Sequence, residues 1–422
     1  MIEKLIKEGI KKDLKLEVLK STSKSIYLKS FNQRIEKLEI SESEYYKIKS
    51  VYKGKNLNLY TSNLNNPSDI ISALIKDSLL SDNKEKTTFA KQFKIESKKL
   101  KNLNINLDEI KEFLKGLNNL KKEYPFLDTV IGSFSYFQNT KEITNKDTFL
   151  KDNNEFINVG VELTIKEDKK TETAYVDVFS KDFDKIKIMQ KIKAKIESTY
   201  DKLNFQTPNN MKVKVLLTNE VMSGIFDNFI DVFFAKNIRL KQSVMVGKLN
   251  KKIFSNKITI VEDPANTNMV TSNLFDGEGT QTYYKEIVKE GVFKTILYDN
   301  KEAIIAKTKS TGNSNLIKNC YLKPGKMSFN ELIKKVKDGI IVDRVDGLHV
   351  GTRTLTGDIA LQCQGYIVKN GKKDKAIKMF VMTTNIFELL GNVIAVGNDL
   401  ENFGLSVMFP SILVENINIS GE

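Results

Sequence analysis

Side chains that could do chemistry are scarce in this sequence, which has one histidine, His349, and two cysteines, Cys320 and Cys363. Asp227 and Asp231 stand four residues apart, a spacing that puts two carboxylates on one side of a helix. Such a pair could bind a metal or perform acid–base catalysis. No histidine or third carboxylate accompanies it, which favours a solvated polar helix face.

His349 stands just before a loop that contains glycine, residues 351–358. A Ser-His-Asp triad would have to recruit this histidine, yet the sequence has no Gly-x-Ser-x-Gly elbow. A metal site made of His349, Cys320 and Cys363 matches no known ligand spacing. We predict that His349 is a loop residue bonded to backbone and that both cysteines are small buried apolar groups. The residues themselves therefore favour binding over catalysis.

The elements that position these residues fall into two predicted domains, because 422 residues exceed one ordinary core. The boundary is placed at residues 204–210, around Pro208, which gives domains 1–205 and 206–422. Amphipathic spacing predicts helices in both domains, at residues 2–14, 67–79, 107–117, 182–203, 219–233, 328–339 and 385–393. Residues 81–104 are rich in lysine and are interpreted as a linker.

Alternating polar and apolar residues predict strands throughout the chain. They lie at residues 25–31, 34–40, 46–52, 56–61, 129–138, 141–150, 155–166, 171–179, 213–217, 257–261 and 412–419. Hairpins are predicted at residues 167–170, through 291–298, and at Asn370-Gly371, a strong two-residue turn signal. Ser328 and Glu331 form a capping-box pattern, and Gly339 suits the position after that helix.

The net charge of +14 raises the question of nucleic-acid binding. Nearly all of the positive charge is lysine, and the four arginines stand apart from one another. Base recognition favours arginine forks, so no specific nucleic-acid partner is expected. No apolar run is long enough to span a bilayer, and two cysteines cannot form a disulfide scaffold. A cytoplasmic protein that does not act at a membrane is expected.

Several motifs, taken in order, resemble the TldD/PmbA family. The clearest are Thr356-Gly357-Asp358 with the hairpin that follows, and residues 396–399, which include Gly397, Asn398 and Asp399. Further matching segments lie upstream, at residues 262–264, 275–279, 291–294, 310–312 (with Gly312) and 322–326. Each motif is short, but together they follow the order of the family over nearly the whole chain.

This resemblance implies an α+β fold, with an N-terminal mixed α/β domain of antiparallel strands and a β-rich C-terminal domain. It also implies paired subunits of a cytoplasmic metallopeptidase. The TldD type carries a zinc-binding H-E-x-x-x-H helix and a later cysteine ligand. Residues 224–233 stand in the place of that helix without a histidine, and residues 400–410 contain no cysteine. The chain therefore resembles the PmbA (TldE) type, and no zinc or catalytic residue is expected in it.

Two functions stay open. The chain could be a PmbA/TldE-like subunit that completes a chamber for extended peptides, with zinc only on a TldD-like partner. Alternatively, it could be a stand-alone homodimeric peptide-binding protein without protease activity. The motif residues that could contact peptide are Gly312, Thr356, Gly357, Asp358, Gly397, Asn398 and Asp399. Gly357 and Gly397 are expected to supply unusual φ angles, and Asp358 and Asp399 to stabilise turns.

Overall fold

The computed structural model describes residues 1–81, 88–93, 103, 105–314, 316–404 and 406–421. The predicted linker at residues 81–104 lies largely outside the described residues. Antiparallel strands and flanking helices build the first half, and two further sheets build the second half. The predicted α+β fold class is confirmed.

The first half contains one antiparallel sheet, in the order β3-β2-β1-β4-β5-β6. Its strands are β1 Lys15–Phe31, β2 Arg34–Tyr52, β3 Lys55–Thr61, β4 Leu127–Asn145, β5 Phe149–Glu167 and β6 Lys170–Ser180. Its helices are α1 Ile2–Ile10, α2 Pro67–Leu80, α3 Leu107–Gly116, α4 Leu120–Glu123 and α5 Lys185–Asp201.

Long strands replace several of the predicted shorter ones. The separate strands predicted at 34–40 and 46–52 are one strand, β2, and the pair 129–138 and 141–150 falls within β4 and the start of β5. The first helix ends at Ile10 rather than at residue 14. Ladder hydrogen bonds to β1 keep β2 continuous through an exposed polar stretch, where side-chain burial gives no signal.

The two faces of this sheet have different partners. One face carries Phe134, Val159 and Leu163, which form a core with Ile110 of α3 and Ile192 of α5. Side chains alternate along a strand, so the neighbouring residues of β4 and β5 point the other way. There, toward the second half of the chain, Ile143 and Leu150 pack against Phe275.

The second half contains a mixed sheet in the order β14-β13-β12-β7-β17-β15 and a smaller sheet in the order β10-β9-β8-β11-β16. The additional pairing of β14 with β17 closes five strands of the first of these into a ring. The strands are β7 Met211–Leu217, β8 Ile260–Glu262, β9 Lys285–Lys289, β10 Val292–Phe293, β11 Cys320–Leu322, β12 Gly339–Asp346, β13 Asp358–Lys369, β14 Lys372–Asn385, β15 Val393–Val396, β16 Val407–Met408 and β17 Ile412–Ser420.

Short helices connect these strands. They are α6 Asn219–Phe229, α7 Ala235–Arg239, α8 Asn300–Ile305, α9 Phe329–Val336, α10 Leu348–Gly351 and α11 Ile386–Gly391. The Ser328–Glu331 capping box and the Asn370-Gly371 hairpin are confirmed. Gly339 instead begins β12, and Lys337 takes the positive φ of 61° after α9.

The hairpin predicted through residues 291–298 is shorter and begins earlier. β9 and β10 pair across a turn at Glu290 and Gly291. The strand predicted at 257–261 is β8, Ile260–Glu262. In the part of the chain that the structure describes, no helix combines the length and apolarity needed to cross a membrane.

Candidate functional site

Helix α6 carries Asp227, one of the two carboxylates considered as metal ligands, and its N-terminus is set by Thr218. The Thr218 side chain accepts a hydrogen bond from the Val221 backbone N–H, as expected for a threonine at this position. The buried side chains of α6 are almost all apolar, and they are Val221, Met222, Ser223, Ile225, Phe226 and Phe229. The helix is therefore built into the core of the second half.

An aromatic contact fills the space between α6 and residues 407–409. The ring centroids of Phe226 and Phe409 are 4.5 Å apart, and Phe233 lies 6.0 Å from Phe226. Ser223 Oγ donates to the Asn219 carbonyl at 2.7 Å and accepts from the Phe409 N–H at 2.8 Å. The helix is thus held against residue 409 by apolar packing and one hydroxyl group.

Asp227 and Asp231 do not share one solvated helix face, which corrects that prediction. Asp227 is half-buried in the last turn of α6, whereas the exposed Asp231 lies in the 3-10 turn Ile230–Phe233. Burial raises the pKa of Asp227, the Asp231 charge raises it further, and the Ser406 backbone N–H opposes both effects. Among the described residues, no group of three His, Cys, Asp or Glu side chains could hold a metal ion.

The two cysteines are buried, as predicted, and neither forms a disulfide. Burial raises the pKa of Cys320 well above its ordinary value and that of Cys363 to about 12. Both thiols therefore stay protonated at neutral pH and are poor metal ligands. His349 lies exposed on the short helix α10 rather than in a loop, so the structure does not bring it into the core with the cysteines.

The motif at residues 356–358 forms a closed turn against the end of β14. Thr356 Oγ1 donates to Asp358 Oδ2 at 2.6 Å, and Asn385 Nδ2 donates to Asp358 Oδ1 at 3.1 Å. Gly357 has a φ of +85°, a backbone conformation that residues with a side chain rarely adopt. Asp358 thus accepts one hydrogen bond within the turn and one from the end of β14, which together hold the turn in place.

The motif at residues 397–399 lies beside the start of α6. Asp399 accepts hydrogen bonds from the Ser411 N–H at 2.9 Å and the Ser411 hydroxyl at 2.6 Å, and its carbonyl accepts from Asn219 Nδ2 at 2.8 Å. Asn398 donates its N–H to the Met327 carbonyl. This motif fixes the position of α6.

Glycine is required at Gly397 and at Gly312 for different reasons. Gly397 is not among the glycines with positive φ, which corrects that expectation; a Cβ there would lie 2.5 Å from Asp399 Oδ1. Gly312 does have a positive φ, of +74°, and a Cβ there would lie 2.8 Å from the Gln281 carbonyl oxygen. Close approach therefore explains Gly397, and backbone conformation together with close approach explains Gly312.

A cleft of about 410 Å³ lies between the sheet of the first half and loops of the second half. Its floor is the sheet face opposite α3 and α5, where Ser21, Lys141 and Asp152 align across β1, β4 and β5. Its other wall is formed by residues of three loops, and they are Val270, Thr271, Asn273, Leu316, Lys318, Asn319, Asn402, Gly404 and Ser406. Ser406 also donates to Asp227, so the cleft adjoins the end of α6.

Buried polar contacts hold the two halves together along this cleft. Asp152 Oδ2 accepts the Leu274 N–H at 3.0 Å, and Asn154 Oδ1 accepts the Ser272 N–H at 2.6 Å. Burial raises the pKa of Asp152 to about 6, although the Leu274 bond and the charge of Lys141 act in the opposite direction. Polar residues at alternate positions of β5 are the sequence signal that this sheet face is not packed in a core. The residues that these side chains contact follow only from the register of the strands and cannot be read from the sequence.

We expect the Asp152→Asn variant to be more stable than the natural protein at pH 8. The folded-state pKa of about 6 lies above the ordinary 3.8, so the folded protein binds the extra proton between these values. Its free energy of unfolding therefore falls as pH rises through this window, by about 1–3 kcal/mol. Urea denaturation from pH 4 to pH 8 measures this, and parallel profiles for the two proteins would contradict it.

Comparison with known proteins agrees with this arrangement. The family model described as the PmbA/TldA metallopeptidase C-terminal domain matches residues 210–421. Metalloprotease PmbA of Escherichia coli O157:H7 is 27% identical over 224 residues, which cover 53% of this chain and 49% of that protein. The chain spans about half the length of the curated relatives it matches first.

Solved structures match over the full length. A protein of Thermotoga maritima, described as a candidate modulator of a DNA gyrase, has a TM-score of 0.90 and 21% identity, with 99% of each chain covered. TldE from Thermococcus kodakarensis has a TM-score of 0.88 and 19% identity, with 100% of each chain covered. These likenesses establish the shared fold, and the family model covers half of the sequence. The chain belongs to the PmbA/TldD family of metallopeptidase-related proteins.

Proposed function

We propose that this chain is the subunit of a TldD/PmbA-type metallopeptidase that supplies no zinc ligand and completes the chamber of a TldD-type partner. The observation that carries the proposal is the packing of Phe226 against Phe409, with ring centroids 4.5 Å apart. The packing supports the proposal because it fills this surface of α6 with aromatic rings, whereas a zinc site needs nitrogen, sulfur or oxygen donors.

Two titratable groups of this region, Asp227 and Cys320, do not fit a zinc site. The Asp227 carboxylate is half-buried and accepts the Ser406 N–H, and its pKa is raised, so burial disfavours its charged form. The Cys320 thiol is fully buried and its pKa is raised well above the ordinary value. A structural or catalytic zinc needs at least three protein ligands, so hydrolysis would depend on zinc held by the partner.

The cleft supports a role in handling peptides. Its 410 Å³ lie within the usual range of ligand sites, and its lining combines amide side chains with the rings of Phe156 and Phe179. Extended peptides offer main-chain groups that such amides can bond without selecting one sequence. The two free, buried cysteines suit a reducing compartment, which supports the proposal of a cytoplasmic complex.

The test is co-expression with a family member that carries the H-E-x-x-x-H helix. We expect a stable complex with about one zinc per TldD-type chain, and peptidase activity on unfolded peptides that requires both chains. Persistent self-association without binding to that partner would favour the stand-alone homodimeric peptide-binding protein. Tightly bound stoichiometric zinc together with peptidase activity in this chain alone would overturn the proposal.

A further inference from the structure

Two lysines from different halves of the chain meet at the cleft. Lys141 belongs to β4 and lies on the floor, whereas Lys318 belongs to the loop before β11 and lies on the opposite wall. Each is partly buried. Burial lowers the pKa of Lys318, and the positive charge of Lys141 lowers it further. The fold therefore brings two like charges together at a cavity, an arrangement that costs free energy until an anion joins them.

The protein compensates the two charges unequally, because the charge of Lys141 acts to lower the pKa of both Asp152 and the buried Asp276, whereas Lys318 has no such acidic partner among the described residues. Within the described ranges, no hydrogen bond or ion pair engages the Lys318 ammonium, and the charge that acts on its pKa is that of Lys141. Asp152 stands opposite Lys141 on β5, but its carboxylate is buried and already accepts the Leu274 N–H. With Asp152 ionised at neutral pH, the lysines and Asp152 leave the lining with one net positive charge.

We propose that this cleft binds the carboxylate group of an extended peptide, held between the ammonium groups of Lys318 and Lys141. The proposal rests on the proposed function for its choice of a peptide as ligand. A monoanion matches the single net positive charge, whereas a phosphate dianion would be repelled by Asp152. Lysine ammonium groups act as point charges, which suits a carboxylate that approaches between them.

The remaining lining residues could bind the main chain of the peptide residues that precede its carboxylate. The amide groups offer donors and acceptors to main-chain groups, and they belong to Asn139, Asn154, Asn273, Asn319 and Asn402. Some are already used, since Asn154 accepts from Ser272 and Asn319 donates to the Thr271 carbonyl at 2.7 Å. Asn139 is exposed and lies next to Lys141 along the same face of β4, so its amide is available to a ligand.

The test measures the dissociation constants of fluorescent peptides for the full chain, without any partner. One hexapeptide is used as the free acid, as the C-terminal amide, and as an amide that ends in glutamate. We expect the free acid to bind about tenfold more tightly than the plain amide, since one charge-assisted contact is lost in the amide. Tight binding of the glutamate amide would show that a side-chain carboxylate also serves; weak binding would assign the site to the peptide C-terminus.

Variants assign the effect to the cleft. Lys318→Gln and Lys141→Gln should each bring the free acid to the affinity of the amide, while Lys318→Arg should retain the preference. Lys372→Gln is the matched control, because it removes one exposed charge beside the β13–β14 turn, outside the cleft. Thermal unfolding of Lys318→Gln checks that it folds, since only its backbone N–H bonds to Glu262.

Two outcomes would overturn the inference: equal affinity of acid and amide for the natural chain, or an unchanged preference in Lys318→Gln. These outcomes are separable from failure of the proposed function. A chain that forms the zinc-containing complex but shows no acid preference would refute the carboxylate site alone. A chain that prefers the acid but never binds a TldD-type partner would refute the proposed function alone.

Discussion

The Lys285→Met variant is expected to lose about 3–5 kcal/mol of unfolding free energy, because it leaves a buried carboxylate without its counterion. Lys285 Nζ lies 2.6 Å from Glu262 Oε2, and the two side chains are only 3% and 2% exposed. Burial raises the pKa of Glu262, and Lys285 is the largest of the influences that lower it. Removing the lysine therefore leaves the charged form of Glu262 disfavoured in the folded state.

The expected loss in Lys285→Met also depends on pH, with a definite sign. Without Lys285, the pKa of Glu262 in the folded variant rises further above its value in the unfolded chain. Between these two pKa values, the folded variant holds a proton on Glu262 that the unfolded chain has released. The deficit relative to the natural protein should therefore grow as pH rises. Guanidinium denaturation at pH 5 and pH 8 measures both effects.

Two controls accompany this variant. Lys323→Met removes a partly exposed ion pair to Glu286, at 3.1 Å, and should cost at most about 1 kcal/mol. The double variant Glu262→Met with Lys285→Met removes both charges and should recover most of the loss. A cost below about 1 kcal/mol for Lys285→Met alone would contradict the expected dependence on this pair.

The Glu262 network connects stability to the cleft. Asn313 Nδ2 donates to both carboxylate oxygens of Glu262 at 2.9 Å, and the Lys318 N–H donates to Oε1 at 3.0 Å. The loop that carries Lys318 is thus held by a buried charge on β8. A loosened network in Lys285→Met should therefore weaken peptide binding as well as stability.

Local sequence patterns predicted the elements well and their lengths poorly. The helix at Pro67, the capping box at Ser328 and the turn at Asn370-Gly371 depend on a few adjacent residues, and all three are present. The length of β2 depends on its pairing with β1, and the polar residues 41–45 have no alternating pattern that would predict a strand there. Strand ends were therefore misplaced wherever pairing continued through exposed polar side chains.

The candidate site shows the same limit more strongly. Burial of Cys320 and Cys363 was predicted from the strand-like runs in which they stand, and it is confirmed. The cleft requires Lys141 to face Asp152 in the register of β4 and β5, and it requires a loop more than a hundred residues later to bring Lys318 opposite. Neither the register nor the contact between the two halves can be read from spacing. Residues picked out by motif thus lie mostly in turns, whereas the charged cleft residues had no motif.

The final prediction concerns the aromatic packing on which the proposed function depends. Phe226→Ala is expected to lower the unfolding free energy by about 3–5 kcal/mol, because the ring is buried and the surrounding core can collapse only partly. Phe226 is 1% exposed and contacts the rings of Phe409 and Phe233. Urea denaturation measures the loss, and a cost below about 1 kcal/mol would mean that the site tolerates a cavity.

The neighbouring residue supplies a matched control with the opposite sign. Asp227→Asn removes a charge that burial and Asp231 both disfavour, so it should be neutral or stabilising by about 1 kcal/mol at pH 7. If Asp227 instead held a metal, this variant would lose metal-dependent stability, and a chelator would destabilise the natural chain but not the variant. We expect the chelator to affect neither, because the helix is held in place by its aromatic rings. A large loss in Phe226→Ala beside none in Asp227→Asn would identify α6 as a core helix that has no zinc to position.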